Sequence, residues 1–415
     1  MSSTAVFPVR HRRVFYVPGY DPFPPRRYRE LYRKESAAQA KVSGYDIALK
    51  PGRTAGDGFG WHVAAMMDGH PVRTDIEVLV WSDIVRNSRP HAIFATYADL
   101  VRTVWIYLST GAFFRMMRLR KGPVLAALYP VLALLLQAQL AVGLGWAMYR
   151  VVTAMGRELA PGGPAALVGA LALACAALVG VFTLRWFRDN DGKFFAYYLM
   201  HDFAYSASAR GAYPPALEAR LTEFRRSVAA ALDSDVDEVL VVGHSSGAHL
   251  AVSVLSDLAA TVELSQKKPA LALLSVGHVV PMVSFLPEAK GLRRDLLQVA
   301  QNPQIAWVDV TAPGDGCCFA LCDPVAVTGL SLDPDHGPLV ISAAFSKSLS
   351  PARWRALRWR FFRLHFQYLS AFDAPRDYDY FQITAGPKRL AERYQGRAPS
   401  PSCIRKPVNR YRSLS

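Results

Sequence analysis

The amino-acid sequence predicts an α/β fold, with a mostly parallel, doubly wound sheet and an inserted hairpin of two transmembrane helices. Three observations support this prediction. Short, almost continuous apolar runs alternate with helical patterns over most of the chain. Two long segments near the middle carry no charged residue. A Gly-His-Ser-Ser-Gly run joins one of the apolar strands directly to a helix.

The alternation of strands and helices can be followed along the chain. The first strand, "RVFYVPGYDP", ends in turn residues, and the helix after it, "PPRRYRELYRKESAAQAK", begins with proline. The runs "YDIALK" and "GFGWHVAAMM" are predicted to form an antiparallel extension. Near-continuous apolar runs are typical of buried strands in a parallel sheet, and five follow: "TDIEVLVWSDIV", "EVLVVG", "ALALLSVGHVVP", "IAWVDVTAP" and "GPLVISAAFS".

Composition favours a membrane partner. Apolar residues make up 51% of the 415 residues, which is high for a wholly soluble protein. The formal net charge of +15 favours an anionic partner, either nucleic acid or the acidic face of a membrane. No zinc-finger, RNP or helix-turn-helix pattern is present, so we expect anionic membrane lipid rather than nucleic acid. The sequence indicates no oligomeric state.

The two uncharged segments predict the hairpin. One lies between Lys121 and Arg150 and the other between Glu158 and Arg185. Each can cross a hydrocarbon core, which requires roughly 20 apolar residues in a helix; the alternative is a pair of buried core helices. Basic residues flank the outer ends, "RMMRLRK" and "RWFRDNDGK", more densely than the connection. By the positive-inside rule, both termini and the rest of the chain are therefore predicted to be cytoplasmic.

This reading divides the chain into four parts. Residues 1–120 and 186–387 form the two halves of the α/β domain, and residues 121–185 form the hairpin. Residues 388–415 are predicted to be a basic, flexible arm whose lysines and arginines are attracted to anionic lipid. The N-terminus lacks an apolar run followed by a small-residue cleavage site, so no signal peptide is expected.

Cysteine usage agrees with a cytoplasmic location. The spacing of the five cysteines forms no disulfide framework, and the cluster "GCCFALC" lacks a second Cys/His pair at zinc spacing. We therefore expect buried thiols in a reducing compartment and neither a metal nor another cofactor. The cysteines are Cys175, Cys317, Cys318, Cys322 and Cys403.

The run Gly243-His244-Ser245-Ser246-Gly247 fits the pattern G-x-S-x-G. It follows the strand "EVLVV" directly and opens a helix, which is the context that a nucleophile elbow requires. Ser245 is then the candidate nucleophile, and Gly243 and Gly247 let the neighbouring backbone pack closely. The alternative is a serine and glycine turn without chemistry.

This arrangement resembles the α/β-hydrolase superfamily, and more particularly its lipase- and esterase-like serine hydrolases. The resemblance extends from about Arg13 to Pro387, with the hairpin inserted ahead of the nucleophile strand. It implies catalytic residues in the order Ser, Asp, His at the carboxyl ends of strands. In that order Asp315 is the candidate acid, with Asp323 as the alternative. His365 is the candidate base, although the loop that carries it is longer than usual.

The resemblance also implies an oxyanion hole made of two backbone N–H groups. One belongs to Ser246, the residue after the nucleophile. The other is assigned to Tyr20 in "VPGYDP", where Pro18 replaces the histidine of the family's loop. His278, at the end of the strand "ALALLSV", is expected to line the pocket.

These assignments predict a membrane-anchored serine hydrolase that cleaves lipid esters or acyl thioesters through an acyl-enzyme. The alternative is a catalytically inactive, membrane-anchored scaffold or binding protein with a degenerate hydrolase fold. A stripe of aromatic residues among arginines is expected either to lie in the membrane interface as an amphipathic lid or to pack as a helix around a buried aromatic face. The stripe consists of Trp354, Trp359, Phe361 and Phe362, with Arg353, Arg355, Arg358, Arg360 and Arg363.

Overall fold

The structure is a computed structural model that describes residues 8–50, 58–88, 92–159, 161–331 and 336–415. The chain forms two compact units. The first unit comprises the described residues of Met1–Asn87, Tyr107–Val124 and Ala209–Ser415. The second comprises those of Ser88–Ile106 and Leu125–Ser208.

The first unit contains one eight-stranded sheet in the order β2-β3-β4-β1-β5-β6-β7-β8. In this order, every neighbouring pair from β4 through β1, β5, β6 and β7 to β8 is parallel. By contrast, β3 pairs antiparallel with both β2 and β4. The predicted α/β class, the mostly parallel sheet and the antiparallel extension are thereby confirmed. The strands are β1 (His11–Val17), β2 (Asp46–Lys50), β3 (Phe59–Met67), β4 (His70–Val78), β5 (Glu238–His244), β6 (Ala270–Val276), β7 (Ile305–Thr311) and β8 (Leu339–Ser342).

Helices connect the strands and continue beyond the sheet. The first unit and the junctions contain α1 (Arg26–Ser43), α2 (Ser82–Asn87), α3 (Ile93–Ser109), α4 (Ala112–Leu119) and α5 (Lys121–Leu159). The second unit continues with α6 (Ala165–Asp189), α7 (Asp191–Phe194) and α8 (Ala196–Ala207). The first unit resumes with α9 (Pro215–Leu232), α10 (Gly247–Thr261), α11 (Pro281–Ser284), α12 (Lys290–Gln301), α13 (Phe345–Ser348), α14 (Pro351–Leu357), α15 (Phe361–His365), α16 (Tyr380–Ala385) and α17 (Leu390–Arg393). Single 3₁₀ turns span Leu264–Gln266 and Phe366–Leu369.

Burial explains the apolar strands at the centre of the sheet. Every residue of β5 is buried, because the strand is covered on both faces; this explains its apolar run from Val239 to Val242. At the edge, β2 alternates between exposed and half-buried residues and ends in Lys50, as suits a strand with one free side. One face of the sheet packs against aromatic residues from the end of the chain, among them Tyr368, Phe372 and Phe381.

The C-terminal segment differs from the predicted flexible arm. Ser400 donates its backbone N–H to the carbonyl of Val340 at 2.9 Å, and Ile404 forms an isolated bridge with Cys322. Arg293 donates its Nε–H to the carbonyl of Ser413 at 2.8 Å. The segment therefore lies against the first unit, where it supplies partners to backbone groups that burial would otherwise leave unpaired.

The second unit contains the two helices predicted to form the hairpin. Helix α5 has 39 residues and α6 has 25, and both are long and apolar enough to cross a membrane. Only 6% of the most apolar window of α6 is buried, compared with 28% for α5, so most residues of these windows are exposed or half-buried. Small residues let the two helices approach, since a Cβ on Gly145 would lie 2.9 Å from the carbonyl oxygen of Ala176.

Candidate active site

Ser245 is the first residue after β5, and one further residue, Ser246, separates it from the start of α10. Its φ of +58° lies in the left-handed region, which costs a residue with a Cβ roughly 1–2 kcal/mol. The turn is fixed by its backbone: Ser245 donates its N–H to the carbonyl of Val276 at 3.0 Å, and Ala248 donates to the carbonyl of Ser245 at 3.2 Å. Ser245 is half-buried, whereas the residues on either side of it are buried. The turn thus brings its side chain to the surface above the sheet.

Two glycines make this turn possible. A Cβ on Gly243 would lie 2.6 Å from the Cα of Ala248, and a Cβ on Gly247 would lie 2.1 Å from the carbonyl oxygen of Val17. Both obstacles are backbone atoms, which no rotamer change can move away. The geometry therefore requires glycine at both positions.

A carboxylate and an imidazole meet beside the elbow. Asp315 follows β7, and its Oδ2 accepts a hydrogen bond of 2.7 Å from Nδ1 of His365, at the end of α15. Both side chains are buried, with 2% of Asp315 and 7% of His365 exposed. Because Nδ1 of His365 donates to the carboxylate, Nε2 is the nitrogen that can accept a proton.

Other groups hold the Asp315 carboxylate in place. Its Oδ1 accepts the backbone N–H of Cys317 at 2.9 Å, and its Oδ2 also accepts the hydroxyl of Tyr368 at 3.1 Å. Burial opposes ionisation of this carboxyl. The charge of His365 and the hydrogen bonds outweigh burial, so the pKa of Asp315 is lowered from its usual value. Asp315 is therefore a buried carboxylate that stays ionised.

Tyr368 was not among the residues predicted from the sequence. Its hydroxyl oxygen accepts the backbone N–H of Ala312 at 2.9 Å and donates to Asp315, so it joins the end of β7 to the carboxylate. Tyr368 lies three residues after His365, in the 3₁₀ turn Phe366–Leu369. That spacing was the available signal, because residues three apart share a face of such a turn.

His244, which the sequence analysis treated only as part of the elbow, positions His365. Its Nε2 donates to the backbone carbonyl of His365 at 3.0 Å, and its Nδ1 lies 3.3 Å from the hydroxyl of Tyr16. Burial and the neighbouring His365 lower the pKa of His244 to about 3, so this imidazole is neutral. His244 connects the nucleophile strand to the backbone that carries the candidate base.

The His365 ring lies next to the nucleophile turn. The ring centroids of His244 and His365 are 4.8 Å apart. Val276 accepts the Ser245 N–H, and Gly277 is the next residue. A Cβ on Gly277 would lie 3.1 Å from Cε1 of His365. Within the described part of the chain, the Ser245 hydroxyl forms no hydrogen bond. In enzymes without substrate the bond between nucleophile and base is often long and shortens only in the complex.

The predicted oxyanion donors are also close to Ser245. A Cβ on Gly19 would lie 3.0 Å from the Cβ of Ser245, so the loop after β1 passes close to the candidate nucleophile. The N–H of Tyr20 donates to the hydroxyl of Ser246 at 2.8 Å. The Ser246 N–H has no hydrogen bond within the described residues. One predicted donor is thus free and the other is already engaged.

The two remaining predicted residues lie apart from this group. Asp323 accepts the N–H groups of Val325 and Ala326, both at 3.0 Å, and so caps a turn instead of holding His365. His278 is fully buried, and its Nε2 bonds to the carbonyl of Cys322 at 3.0 Å. Its assignment to a substrate pocket stays a prediction.

One group of side chains in the described residues has the geometry to hold a metal ion. The ligand atoms of Asp315, Cys317 and His365 all lie within 4.8 Å of one another. A thiol must lose its proton to bind a metal, but burial and the Asp315 charge raise the pKa of Cys317 well above its usual value. The chemistry of this group therefore favours the hydrogen bond between Asp315 and His365 over metal binding.

Neither a scan against protein-family models nor searches of the curated proteins and of the solved structures gave a match to this chain.

Proposed function

We propose that this chain is a membrane-anchored serine hydrolase that cleaves carboxylic esters or thioesters, with lipid esters as the substrate class. One observation carries the proposal. A partly exposed serine with φ of +58° stands at a strand–helix junction, beside an imidazole that is hydrogen-bonded to a buried carboxylate. This combination supplies a nucleophile, a base and a group that orients the base.

In the proposed first half-reaction, Ser245 Oγ attacks the carbonyl carbon of the ester. His365 Nε2 takes the hydroxyl proton, and Asp315 stabilises the imidazolium that forms. The N–H groups of Ser246 and Tyr20 donate to the oxyanion once the Ser246 hydroxyl releases the Tyr20 N–H. His365 then gives its proton to the leaving oxygen or sulfur, and an acyl-enzyme remains.

The second half-reaction removes the acyl group from Ser245. His365 takes a proton from water, the resulting hydroxide attacks the acyl carbon, and Ser245 recovers its proton as the carboxylic acid leaves. Each step uses the same imidazole alternately as base and acid. No further cofactor is required by this scheme.

The membrane assignment supports the substrate class. We propose that α5 and α6 span the bilayer as a hairpin, with both termini in the cytoplasm, as their basic outer flanks suggest. An enzyme tethered in this way meets esters that are concentrated in or near the bilayer. Lipid esters and acyl thioesters fit that location.

The test is labelling of the full chain with a fluorophosphonate probe, which reacts with activated serines. We expect labelling of the wild type, none of Ser245→Ala, and a rate at least about 100-fold lower for His365→Asn, because general-base catalysis contributes that much or more. Ser227→Ala is the matched control, since Ser227 lies on α9 outside the site. Labelling that persists in Ser245→Ala would exclude Ser245 as the nucleophile.

The occupied Tyr20 N–H favours a second candidate, an inactive membrane-anchored scaffold that retains the fold. In that case the bond between Tyr20 and Ser246 is permanent, and the oxyanion has only one backbone donor. Loss of one donor typically costs about 3 kcal/mol in the transition state. The scaffold predicts that neither the wild type nor any variant reacts with the probe.

A further inference from the structure

Residues 353–363 form a basic and aromatic segment that the proposed chemistry does not use. This Arg–Trp segment includes most of α14, the connection after it and the start of α15. Its five arginines lie within a stretch, residues 349–372, that contains no aspartate or glutamate. The arginines are Arg353, Arg355, Arg358, Arg360 and Arg363.

Four of these arginines are exposed and have no ion pair among the described residues. They are Arg355, Arg358, Arg360 and Arg363. Arg353 differs, because it is half-buried and its charge acts on Asp373. Burial opposes ionisation of the Asp373 carboxyl, but hydrogen bonds from Ser350 and the charge of Arg353 lower its pKa from the usual value. The segment therefore presents a concentrated positive charge without a protein counter-charge.

Two large aromatic side chains project from the same segment. Trp359 is 72% exposed and Phe361 is 49% exposed. The guanidinium of Arg358 lies 5.5 Å from the centroid of the Trp359 ring. Exposed tryptophan and phenylalanine beside unpaired arginines match the boundary between lipid headgroups and acyl chains, where aromatic rings insert and arginines bind phosphates.

The segment also contacts the loop that carries Asp315. A Cβ on Gly314 would lie 2.5 Å from the ring of Trp354, and a Cβ on Gly316 would lie 3.5 Å from the ring of Phe361. The two glycines flank Asp315 directly. Whatever binds the segment is therefore held next to the candidate acid.

We infer that the Arg–Trp segment is a docking surface for the anionic surface of a lipid bilayer. Charge complementarity requires an anionic partner, and the exposed aromatic rings require a partner with an apolar layer beneath the charge. An anionic bilayer offers both. This inference concerns membrane contact and does not depend on hydrolysis, so it stands or fails separately from the proposed enzyme.

The test measures lipid contact at the segment in the full chain. The protein is reconstituted into nanodiscs of phosphatidylcholine alone, or of phosphatidylcholine mixed with phosphatidylserine, each with a trace of the same lipid carrying a photoactivatable diazirine. After illumination, mass spectrometry locates the labelled residues. We expect labelling at Trp359 and Phe361 that is about fivefold or more stronger in the phosphatidylserine discs, because one basic residue near an anionic surface changes partitioning by about that factor.

Two double variants distinguish the effect of the arginine charges from that of inserting the aromatic rings into the bilayer. Arg358→Gln combined with Arg360→Gln is expected to weaken the preference for phosphatidylserine discs, because two of the four exposed arginines are removed. Trp359→Ser combined with Phe361→Ser is expected to lower the labelling of the segment in both kinds of disc. Lys41→Gln combined with Arg226→Gln is the matched control, since it removes the same charge from exposed positions on α1 and α9. All the substituted positions are exposed, so folding is expected to be preserved.

Either of two results would overturn the inference. The first is equal labelling of the segment in neutral and anionic discs. The second is loss of the label when an RNA homopolymer is added at matched ionic strength, because this would assign the surface to a nucleic acid.

Discussion

On one side of Ser245, the Asp315 carboxylate accepts hydrogen bonds from His365, Tyr368 and a backbone N–H, so the group that orients the base is completely partnered. On the other side, the Tyr20 N–H donates to a serine hydroxyl, and that hydroxyl can rotate away. The imidazole side, formed by Asp315 and His365, is thus already fixed in the structure without substrate. In the proposed reaction, the oxyanion side, formed by Tyr20 and Ser246, would have to exchange one hydrogen bond for another.

This difference has an energetic consequence. A fixed carboxylate and imidazole need no reorganisation during the reaction, which is the usual source of electrostatic catalysis. An oxyanion hole in which one donor is occupied must first give up a hydrogen bond worth about 1 kcal/mol. We therefore expect substitutions on the imidazole side to lower the rate, and removal of the Ser246 hydroxyl to raise it.

The largest effect is expected from Asp315→Asn. The asparagine keeps the shape of the side chain but favours the wrong tautomer of His365, and the corresponding substitution in a serine protease lowers kcat about 10⁴-fold. The measurement is the rate of probe labelling or of ester hydrolysis. Asp323→Asn is the control, because Asp323 caps a turn away from His365. A larger loss in Asp323→Asn than in Asp315→Asn would transfer the role of acid to Asp323.

The second prediction compares Asp315 with Asp309, another buried aspartate, by their effects on stability. Burial raises the pKa of Asp309, in β7, to about 6, against the opposing effects of His278 and a hydrogen bond from Ser275. The folded protein then binds the proton of the Asp309 carboxyl more tightly than the unfolded chain does, because the pKa of an aspartate in an unfolded chain is about 3.9. Stability should therefore fall as the pH rises from about 4 to 6, by on the order of 3 kcal/mol.

The stability of Asp309→Asn should not fall in this way as the pH rises. Asp315 should change the pH dependence of stability in the opposite direction. The pKa of Asp315 is lowered, so its contribution is present above the unfolded pKa and disappears as the pH falls below about 4. The measurement is thermal unfolding of both variants and the wild type across this pH range. If the unfolding temperature changed equally with pH in the wild type and in Asp309→Asn, Asp309 would not be the group responsible.

A third prediction concerns Tyr368→Phe. The variant removes one hydrogen bond to the Asp315 carboxylate and leaves the ring packed in the core. We expect kcat to fall about tenfold with KM unchanged, since one hydrogen bond to a charged group contributes about 1.5 kcal/mol or more. Tyr213→Phe, which removes a bond to His249, should leave kcat unchanged. A change in KM alone would indicate that Tyr368 acts in substrate binding.

The smallest effect on rate is expected from Ser246→Ala. The alanine frees the Tyr20 N–H for the oxyanion, and the rate should rise about fivefold, equivalent to about 1 kcal/mol. Ser253→Ala, on the same helix, is the control. A fall of tenfold or more would show instead that the Ser246 hydroxyl itself donates to the developing charge, and the two sides of Ser245 would then be equally preorganised.

The sequence predicts best where the determinants are local. The turn is set by consecutive residues, because Gly243 lies near the end of β5, Ser245 follows that strand and Gly247 begins α10. Asp315 and His365 are 50 positions apart and were selected through the resemblance to the α/β-hydrolase superfamily rather than through a local pattern; their side chains lie 2.7 Å from each other. The strands β2 and β3 were predicted as an antiparallel extension and form one.

Contacts between distant residues were not predictable from periodicity or motifs. The bonds from His244 to the backbone of His365 and from Tyr20 to Ser246 join residues that are more than 100 positions apart. They depend on how loops close over the sheet, which one sequence does not encode in a local pattern. The C-terminal segment differs from its prediction for the same reason. Its basic composition is typical of a flexible arm, whereas its hydrogen-bond partners lie in β8 and the loop after β7.

The left-handed backbone at Ser245 implies that this turn would fold more favourably with glycine at the same position. Glycine tolerates φ of +58°, whereas a residue with a Cβ is strained there, so the free energy of unfolding of Ser245→Gly should exceed that of Ser245→Ala by about 1 kcal/mol. The folding energetics of the turn alone therefore favour glycine over serine at residue 245.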